Sequence, residues 1–262
     1  MSFDKWFLVN KDSSEKAKLR LFLFPPAGSD VTIFNKWEDN FSSYVEVCKL
    51  KLPGRGMRYN EPLESNCQIL ADKIAEVIDE NTNIPFVIFG HSMGALIAYE
   101  TAILLQAKGN KFLKEICLSA MKSPDCVSDD GCFENDNSQK ISMHSLSDAE
   151  LQKKLIEFGG MPSEILSDSS LIEFLLPIFR NDLYLCDTYH LNKKIVLNIP
   201  IVVYGGKSDS VANSNDLAKW KDFSSKKVHV LMFQGNHFYF EMSKAMFMFD
   251  LSKNIERLME EQ

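Results

Sequence analysis

A pentapeptide in the first half of the chain has the residue types needed for nucleophilic catalysis. Residues 90–94 read Gly-His-Ser-Met-Gly, after the apolar segment Phe86–Phe89 and before a segment rich in Ala and Leu that runs to Lys108. In a tight strand-to-helix turn, glycines two positions either side of a serine avoid clashes, and the hydroxyl projects at the carboxyl end of the sheet. A Gly-x-Ser-x-Gly pattern alone is common by chance, and a structural turn is the alternative. The strand and helix on its two sides favour Ser92 as a nucleophile.

A serine hydroxyl needs a base, and one of the five histidines is well placed to supply it. With this type of turn, the chain order is serine, acid, histidine. His237 follows the last predicted strand, in a loop that can return the imidazole to Ser92. The other four are His91 beside the serine, His144 and His190 in a predicted lid, and His229 inside a strand, where we expect a structural role.

The acid that orients the histidine is expected after the preceding strand. Residues 201–204 are apolar and lead into Gly205-Gly206-Lys207-Ser208-Asp209. Asp209 therefore lies at the same edge of the sheet as Ser92, although a turn or capping role is the alternative. Asp182 and Asp187 are rivals by residue type, but they fall in the predicted lid.

Two backbone amides are candidates for stabilising an oxyanion. The loop after the first strand of the sheet begins Pro25-Pro26, and proline has no N–H to donate, so Ala27 is the first possible donor. Met93, immediately after the nucleophile and near a helix N-terminus, supplies the second.

The elements that must position these residues alternate between strands and helices. Six apolar runs are predicted strands: Leu21–Phe24, Val45–Leu52, Phe86–Phe89, Ile116–Ser119, Ile201–Tyr204 and Val228–Phe233. Helical patterns cover 68–80, 94–108, 217–223 and 243–259. This alternation predicts an α/β chain with a mostly parallel central sheet flanked by helices, the α/β-hydrolase fold, as a single domain over residues 1–262.

Residues 123–198 interrupt the alternation and are predicted to be an inserted helical lid. Residues 125–140 are polar and indicate a loop, Ser147 to Glu150 form a capping box that opens a helix, and a very apolar helix over 171–184 is interrupted by Pro177. We predict that Met161 and Phe179 of the lid, with Phe238 beside the histidine, contact the substrate.

Composition excludes several other classes of protein. The net charge of −7 and the lack of a basic tract argue against binding to nucleic acid or to a membrane surface. No segment resembles a membrane span, and the first twenty residues indicate a mature cytosolic start without a signal peptide. The six cysteines form no Cys-x-x-Cys pair, so we expect free thiols in the cytoplasm. No metal, no cofactor and no state beyond a monomer is expected.

Several motifs together resemble the type II thioesterases, the stand-alone partners of polyketide synthases and nonribosomal peptide synthetases. They are 23–28 (Leu-Phe-Pro-Pro-Ala-Gly), 52–56 (Leu-Pro-Gly-Arg-Gly) with Glu61-Pro62, 89–95 around the serine, 158–162 (Phe-Gly-Gly-Met-Pro), Leu176-Pro177, 180–182 (Arg-Asn-Asp) and 235–238. The medium-chain thioesterase of animal fatty acid synthesis is similar. The resemblance spans nearly the whole chain in order, which makes it far more specific than any single motif.

The resemblance implies a substrate and a mechanism. The substrate is an acyl group on the phosphopantetheine arm of an acyl or peptidyl carrier protein, and the acyl-enzyme forms on Ser92. The family edits stalled chains or releases fatty acids of intermediate length. Its members usually have His at position 26, Gly at 29 and Gly at 236, where this chain has Pro, Ser and Asn. Because Asn tolerates a left-handed backbone, we expect the turn at Asn236 to survive.

Three alternative functions stay open at this stage. An acyltransferase can use a similar serine turn, although it lacks an acid and a histidine after the last two strands. A carboxylesterase has the same triad but lacks the lid motifs. A catalytically silent module that binds carrier proteins is disfavoured by the intact triad. For carrier docking we expect local basic residues, namely Arg55, Arg58, Lys122, Lys193 and Lys194.

Overall fold

The apolar runs of the sequence form the strands of one central sheet. The computed structural model describes residues 2–9, 16–130, 133–134, 140–159 and 168–261. The strands are β1 (Phe7–Val9), β2 (Leu19–Phe24), β3 (Val45–Leu50), β4 (Phe86–His91), β5 (Leu113–Ser119), β6 (Phe133–Glu134), β7 (Lys140–Ile141), β8 (Ile201–Gly206) and β9 (Val228–Phe233). Seven of them build the main sheet in the order β1-β3-β2-β4-β5-β8-β9.

Helices connect these strands and cover both faces of the sheet. They are α1 (Phe3–Trp6), α2 (Cys67–Asn81), α3 (Met93–Ala107), α4 (Pro124–Asp130), α5 (Asp148–Glu157), α6 (Ser169–Asp187), α7 (Ser214–Ala218), α8 (Tyr239–Met242) and α9 (Lys244–Glu260). Strands β2 to β9 of the main sheet pair in parallel, and only β1 pairs antiparallel, with β3. This arrangement confirms the predicted α/β-hydrolase fold. The three-residue strand β1 was not predicted, since it is too short to show a period.

Buried apolar side chains pack between the sheet and its helices on both faces. Strands β3, β4 and β8 are buried along their whole length, as expected for strands covered on both faces. On one face α2 packs with Tyr99 of α3 and with Trp220, and on the other α9 packs with Trp37. The site residues can therefore be positioned by a rigid support.

The order in which strands are added to the sheet reverses at β2, which places a crevice at the carboxyl ends of the strands. From β2 the chain passes to β3 on one side and then to β4 on the other side of β2. The loops that follow β2 and β4 consequently diverge above the sheet, which is where ligands bind in open α/β sheets. Both the Ser92 turn and the Ala27 loop lie at this point.

Part of the prediction for residues 125–140 is wrong. Residues 124–130 are helical, and β6 pairs antiparallel with β7 in a two-stranded sheet. The helix starts at a Ser-Pro pair. The Ser123 carbonyl accepts the first helical hydrogen bond, from Val127 N–H. Pro124 occupies the first helical position, where the N–H that proline lacks would have no partner in the helix. That start signal was available in the sequence but lay inside a polar stretch.

The helices between β5 and β8 form a small apolar cluster of their own. The predicted capping box is confirmed, since the Ser147 hydroxyl accepts from Glu150 N–H and the Glu150 carboxylate accepts from Ser147 N–H. From α5, Leu151 and Leu155 pack with Leu176 and Phe179 of α6. Whether residues 123–198 act as a lid stays a prediction.

Within the described ranges, no helix is both long and apolar enough to cross a membrane.

Candidate active site

Ser92 lies in a strained turn between β4 and α3. Its backbone has φ 51° and ψ −123°, a region that side-chain-bearing residues rarely adopt. A Cβ at Gly90 would lie 2.2 Å from the Gly94 carbonyl oxygen, and a Cβ at Gly94 would lie 2.2 Å from the Phe24 carbonyl oxygen. Both glycines are therefore required by close backbone approach, as their spacing predicted.

The structure brings Ser92, His237 and Asp209 into one hydrogen-bonded row. His237 Nε2 lies 2.9 Å from Ser92 Oγ, and His237 Nδ1 lies 2.9 Å from Asp209 Oδ2. Since the ionised carboxylate can only accept, Nδ1 carries the proton and Nε2 is left to accept from the serine hydroxyl. This is the protonation pattern that a general base next to a serine needs.

The Asp209 carboxylate is buried and fixed from its other side. Its Oδ1 accepts from the N–H groups of Val211 at 2.8 Å and Ala212 at 3.2 Å. The side chain is fully buried. These bonds orient the carboxylate, so its second oxygen faces His237.

The rival acids bond to residues other than His237, and the rival histidine His229 lies away from Ser92 on an edge strand. Asp182 is buried against Arg55 on the lid side of the site, and Asp187 accepts from His144. His229 is exposed on the edge strand β9. Neither carboxylate contacts His237, so of the candidates considered only Asp209 is within reach of it.

The two candidate oxyanion donors belong to separate elements at the carboxyl ends of the strands. Met93 is the first residue of α3, and Ala27 lies in the loop after β2. Among the described residues, neither amide has a hydrogen-bond acceptor. Free amides at a helix N-terminus and in an adjacent loop are able to donate to an oxyanion.

A buried polar chain behind the triad was not predicted. His91 is completely buried, its Nδ1 lies 2.8 Å from Ser119 Oγ, and Ser119 Oγ lies 2.7 Å from the Tyr239 hydroxyl. Burial, and secondarily the nearby His237, lower the pKa of His91 well below its ordinary value. His91 is thus neutral next to the His237 ring, whose centroid is 5.2 Å away. The sequence showed its proximity to Ser92 but not these partners.

A cavity of about 860 Å³ opens beside the row. Its wall includes Phe179 and Phe238, with Ile178 and Trp37, while Gly28 links it to the Ala27 loop. Ser92 and His237 are not part of its wall. Phe179 and Phe238 therefore remain predicted substrate contacts that line a cavity, and Met161 lies outside the described residues.

The prediction that Arg55 and Arg58 contribute to carrier docking is wrong. Arg55 and Arg58 are only 5% and 7% exposed, because Arg55 pairs with Asp182 and Arg58 pairs with Glu61 and covers the Trp6 ring. Both guanidinium groups are paired within the chain and lie below its surface, and Arg55 forms part of the cavity wall. At the rim of the cavity the exposed lysine is Lys244, a position that the sequence pattern did not single out.

The turn before His237 also differs from expectation. Among the described residues, the non-glycine residues with positive φ are Lys36, Ser92 and Ala120, so Asn236 does not adopt the left-handed backbone. Gly235 takes that conformation, with φ 127°. The Asn236 side chain instead accepts from Phe238 N–H at 3.0 Å.

Comparisons with known proteins find thioesterases among both the curated relatives and the solved structures. The model of the thioesterase domain matches residues 19–249. The gramicidin S biosynthesis protein GrsT of Aneurinibacillus migulanus is 34% identical over 241 residues, which cover 92% of this chain and 90% of that protein. The medium-chain S-acyl fatty acid synthase thioesterase of Homo sapiens is 30% identical over 230 residues, covering 86% and 82%. Among solved structures, the RedJ thioesterase of the prodiginine pathway in Streptomyces coelicolor superposes with a TM-score of 0.81 at 28% identity, covering 91% of each chain.

Proposed function

We propose, for a chain that belongs to the thioesterase family, that its hydrolysis of thioesters is carried out by Ser92, His237 and Asp209. The membership confirms the predicted resemblance, and with it the assignment as a thioester hydrolase. The observation that carries the proposal is the row of two 2.9 Å hydrogen bonds from Asp209 through His237 to Ser92. This geometry supports nucleophilic acyl transfer.

In the proposed reaction, Ser92 Oγ attacks the thioester carbonyl carbon while His237 Nε2 takes the hydroxyl proton. The tetrahedral oxyanion receives hydrogen bonds from the amides of Ala27 and Met93. The thiol leaves with the proton from His237, so the acyl group is left as an ester on Ser92. Water, deprotonated by His237, then attacks this ester and releases the carboxylic acid. Asp209 keeps its charge and stabilises the imidazolium that forms twice per cycle.

The finer substrate assignment is an acyl or peptidyl group on the phosphopantetheine arm of a carrier protein. Relatives are named for gramicidin S biosynthesis and for fatty acid synthase, which supports an editing or release role in assembly-line synthesis. The largely apolar wall of the cavity, from Ile178, Phe179 and Phe238, suits an acyl chain. We propose that the segment 123–198, whose helix α6 contributes Ile178 and Phe179 to this wall, acts as a lid.

The compartment and the oligomeric state are also part of the proposal. The described cysteines 48, 67, 117, 126 and 186 are free thiols, which is typical of a reducing compartment and supports a cytoplasmic location. We propose a monomer. Its mass in light scattering, about 30 kDa for one chain, would test this directly.

Competition between substrates tests the proposal. Hydrolysis is measured on acyl-carrier thioesters, acyl-CoA thioesters and oxygen esters of the same chain length. We expect thioesters to exceed oxygen esters in kcat/KM and carrier-bound chains to exceed CoA esters. Ser92→Ala should reduce all three activities by about 10³-fold or more. A preference for oxygen esters would instead support a carboxylesterase, and transfer to a thiol acceptor in place of water would support an acyltransferase.

A further inference from the structure

The loop that carries Ala27 is a tight turn. Ser29 N–H donates to the Pro26 carbonyl oxygen at 3.2 Å, so Ala27 and Gly28 are the two central residues. Gly28 has φ 73°, and a positive φ at the third position is characteristic of a type II turn. The peptide that joins Ala27 to Gly28 presents the Gly28 N–H, so a contact to that N–H fixes one of the two peptides to which Ala27 belongs.

An acidic residue from a distant helix holds this central peptide. Asp182 of α6 accepts from Gly28 N–H through Oδ2 at 2.8 Å, across 154 residues of sequence. Its side chain is 1% exposed. A buried carboxylate that accepts from a backbone amide forms a charge-assisted bond, which is stronger than a neutral one.

Arg55, in the loop after β3, fixes the position of the Asp182 carboxylate. Its two terminal nitrogens bond both Asp182 oxygens, with Nη2 to Oδ1 at 2.6 Å. Nη1 also lies 3.4 Å from the Ser29 carbonyl oxygen. Arg55 therefore contacts the end of the same turn whose centre Asp182 holds.

A second residue of α6 covers the turn. A Cβ at Gly28 would lie only 2.0 Å from Cε1 of the Phe179 ring, so the ring packs directly against the glycine. Phe179 and Asp182 are three residues apart and hence on one face of the helix. One helix face thus contacts both the Cα and the amide of Gly28.

We propose that Asp182 is a positioning residue that holds the Ala27–Gly28 turn in the form needed for oxyanion stabilisation, with Arg55 as its support. This inference rests on the proposed function. Stability alone does not explain the pair, because a buried ion pair is often replaceable by apolar residues without loss of stability. A further consequence is that the oxyanion site is complete only while α6 is docked on the turn, so lid position and catalysis are coupled.

A pair of double variants isolates the Gly28 bond. Arg55→Met with Asp182→Asn removes both charges but keeps an amide oxygen that can accept from Gly28 N–H. Arg55→Met with Asp182→Leu removes both charges and the acceptor, at similar side-chain size. Because neither variant leaves an unpaired buried charge, both are expected to fold. Arg20→Met with Glu46→Leu, a largely buried ion pair at the amino ends of β2 and β3, is the matched control.

Three readouts separate positioning from general loosening of the fold. Active sites are counted by covalent labelling with a fluorophosphonate, kcat is expressed per labelled site, and affinity is measured for an alkyl trifluoromethyl ketone, which forms a tetrahedral oxyanion on the serine. We expect the Leu variant to lose about 10- to 100-fold in kcat per site relative to the Asn variant, somewhat less than deletion of a donor. Ketone affinity should fall by the same factor while KM changes little.

Equal kcat and equal ketone affinity in the Asn and Leu variants would overturn the proposal. So would a comparable loss per site in the Arg20/Glu46 control. If the variants do not fold, hydrogen exchange in the wild-type protein gives the answer: the Gly28 amide should be protected in the free enzyme, and the Ala27 amide should gain protection only when the ketone is bound. An unprotected Gly28 amide in the folded protein would contradict the inference. Failure of the proposed function is distinguishable, because the wild type itself would then show no Ser92-dependent turnover.

Discussion

At the scale of single residues, the row from Asp209 to Ser92 predicts non-additive effects. Ser92→Ala and His237→Ala should each reduce kcat by about 10³-fold or more, and the double variant should be no worse than either single one, since the two residues act as a unit. Steady-state rates of the three variants on one acyl thioester test this. A double variant that is far slower than both single variants would show that they act independently.

The buried histidine beside the nucleophile predicts a pH dependence of stability. Burial lowers the pKa of His91 well below its ordinary value of 6.5, so below about pH 6.5 the unfolded chain binds a proton there that the folded chain does not. The contribution of the neutral His91 to the free energy of unfolding is therefore fully present above about pH 6.5. It is lost as the pH falls below that value, by at most about 1.4 kcal/mol per pH unit. His91→Gln should therefore make the free energy of unfolding less dependent on pH between 6.5 and 5.

His229 provides the matched control for this measurement, because its side chain is exposed on β9. Chemical unfolding at a series of pH values compares His91→Gln and His229→Gln with the wild type. Burial raises the pKa values of the carboxyl groups of Glu100 and Glu115, so their effect on the pH dependence of stability is opposite in sign to that of His91. This effect is the same in all three proteins and therefore cancels when their slopes are compared. Identical slopes for His91→Gln and the wild type would contradict the assignment of a neutral buried histidine.

At the scale of elements, α6 should set the chain length that the cavity accepts. Phe179 lies on the cavity wall, so Phe179→Ala should favour longer acyl chains, by about 10-fold in the ratio of kcat/KM for long to short substrates. Ile156→Ala, on the exposed side of α5 and away from the cavity wall, is the control. A chain-length profile that is unchanged in Phe179→Ala would exclude this wall as the acyl site.

The elements that the sequence predicted well are those whose pattern is local. The predicted part of β4, Phe86–Phe89, is continuously apolar, and the strand extends two residues further. Helix α3 begins at Met93, one residue before its predicted start. Both were predictable because burial on both faces and helical periodicity show in consecutive residues. Helix α4 was missed because four of its seven residues are Asp or Ser, so it shows no apolar period, and β1 was missed because three residues carry no period.

The parts of the site that could not be predicted depend on contacts between distant residues. Ser92, Asp209 and His237 could be chosen because each follows a predicted strand or ends one. The bond from Asp182 to Gly28 and the pairing with Arg55 connect residues more than 120 positions apart, and no local pattern encodes them. For the same reason Arg55 was taken for a docking residue, although the folded chain buries it.

At the scale of the whole molecule, charge sets the conditions for carrier docking. The net charge is −7, and repulsion of an acidic partner is screened beyond about 8 Å in physiological salt. Docking must therefore depend on local cations, and Lys244 is exposed at the cavity rim. We predict that Lys244→Glu raises KM for a carrier-bound substrate by about 10-fold and leaves a short synthetic thioester unchanged.

Lys253 is the matched control for charge reversal. It lies on the same helix nine residues further on, about 13 Å along the axis, and its side chain is 60% exposed. Lys253→Glu changes the net charge equally but should leave KM for the carrier substrate as it is. An equal rise in both variants would indicate a global charge effect, and an equal loss on both substrates would place Lys244 in the active site.

Trapping the intermediate shows whether this thioesterase acts through an acyl group on Ser92. The enzyme is mixed with excess acyl thioester, quenched in acid within milliseconds, and analysed by intact mass and by peptide mapping. We expect a transient species in the wild type that is heavier by one acyl group. The added mass should lie on the peptide that contains Ser92 and should be absent in Ser92→Ala. Turnover of the wild type with no acyl group on Ser92 at any time, or an acyl group on another residue, would contradict this mechanism.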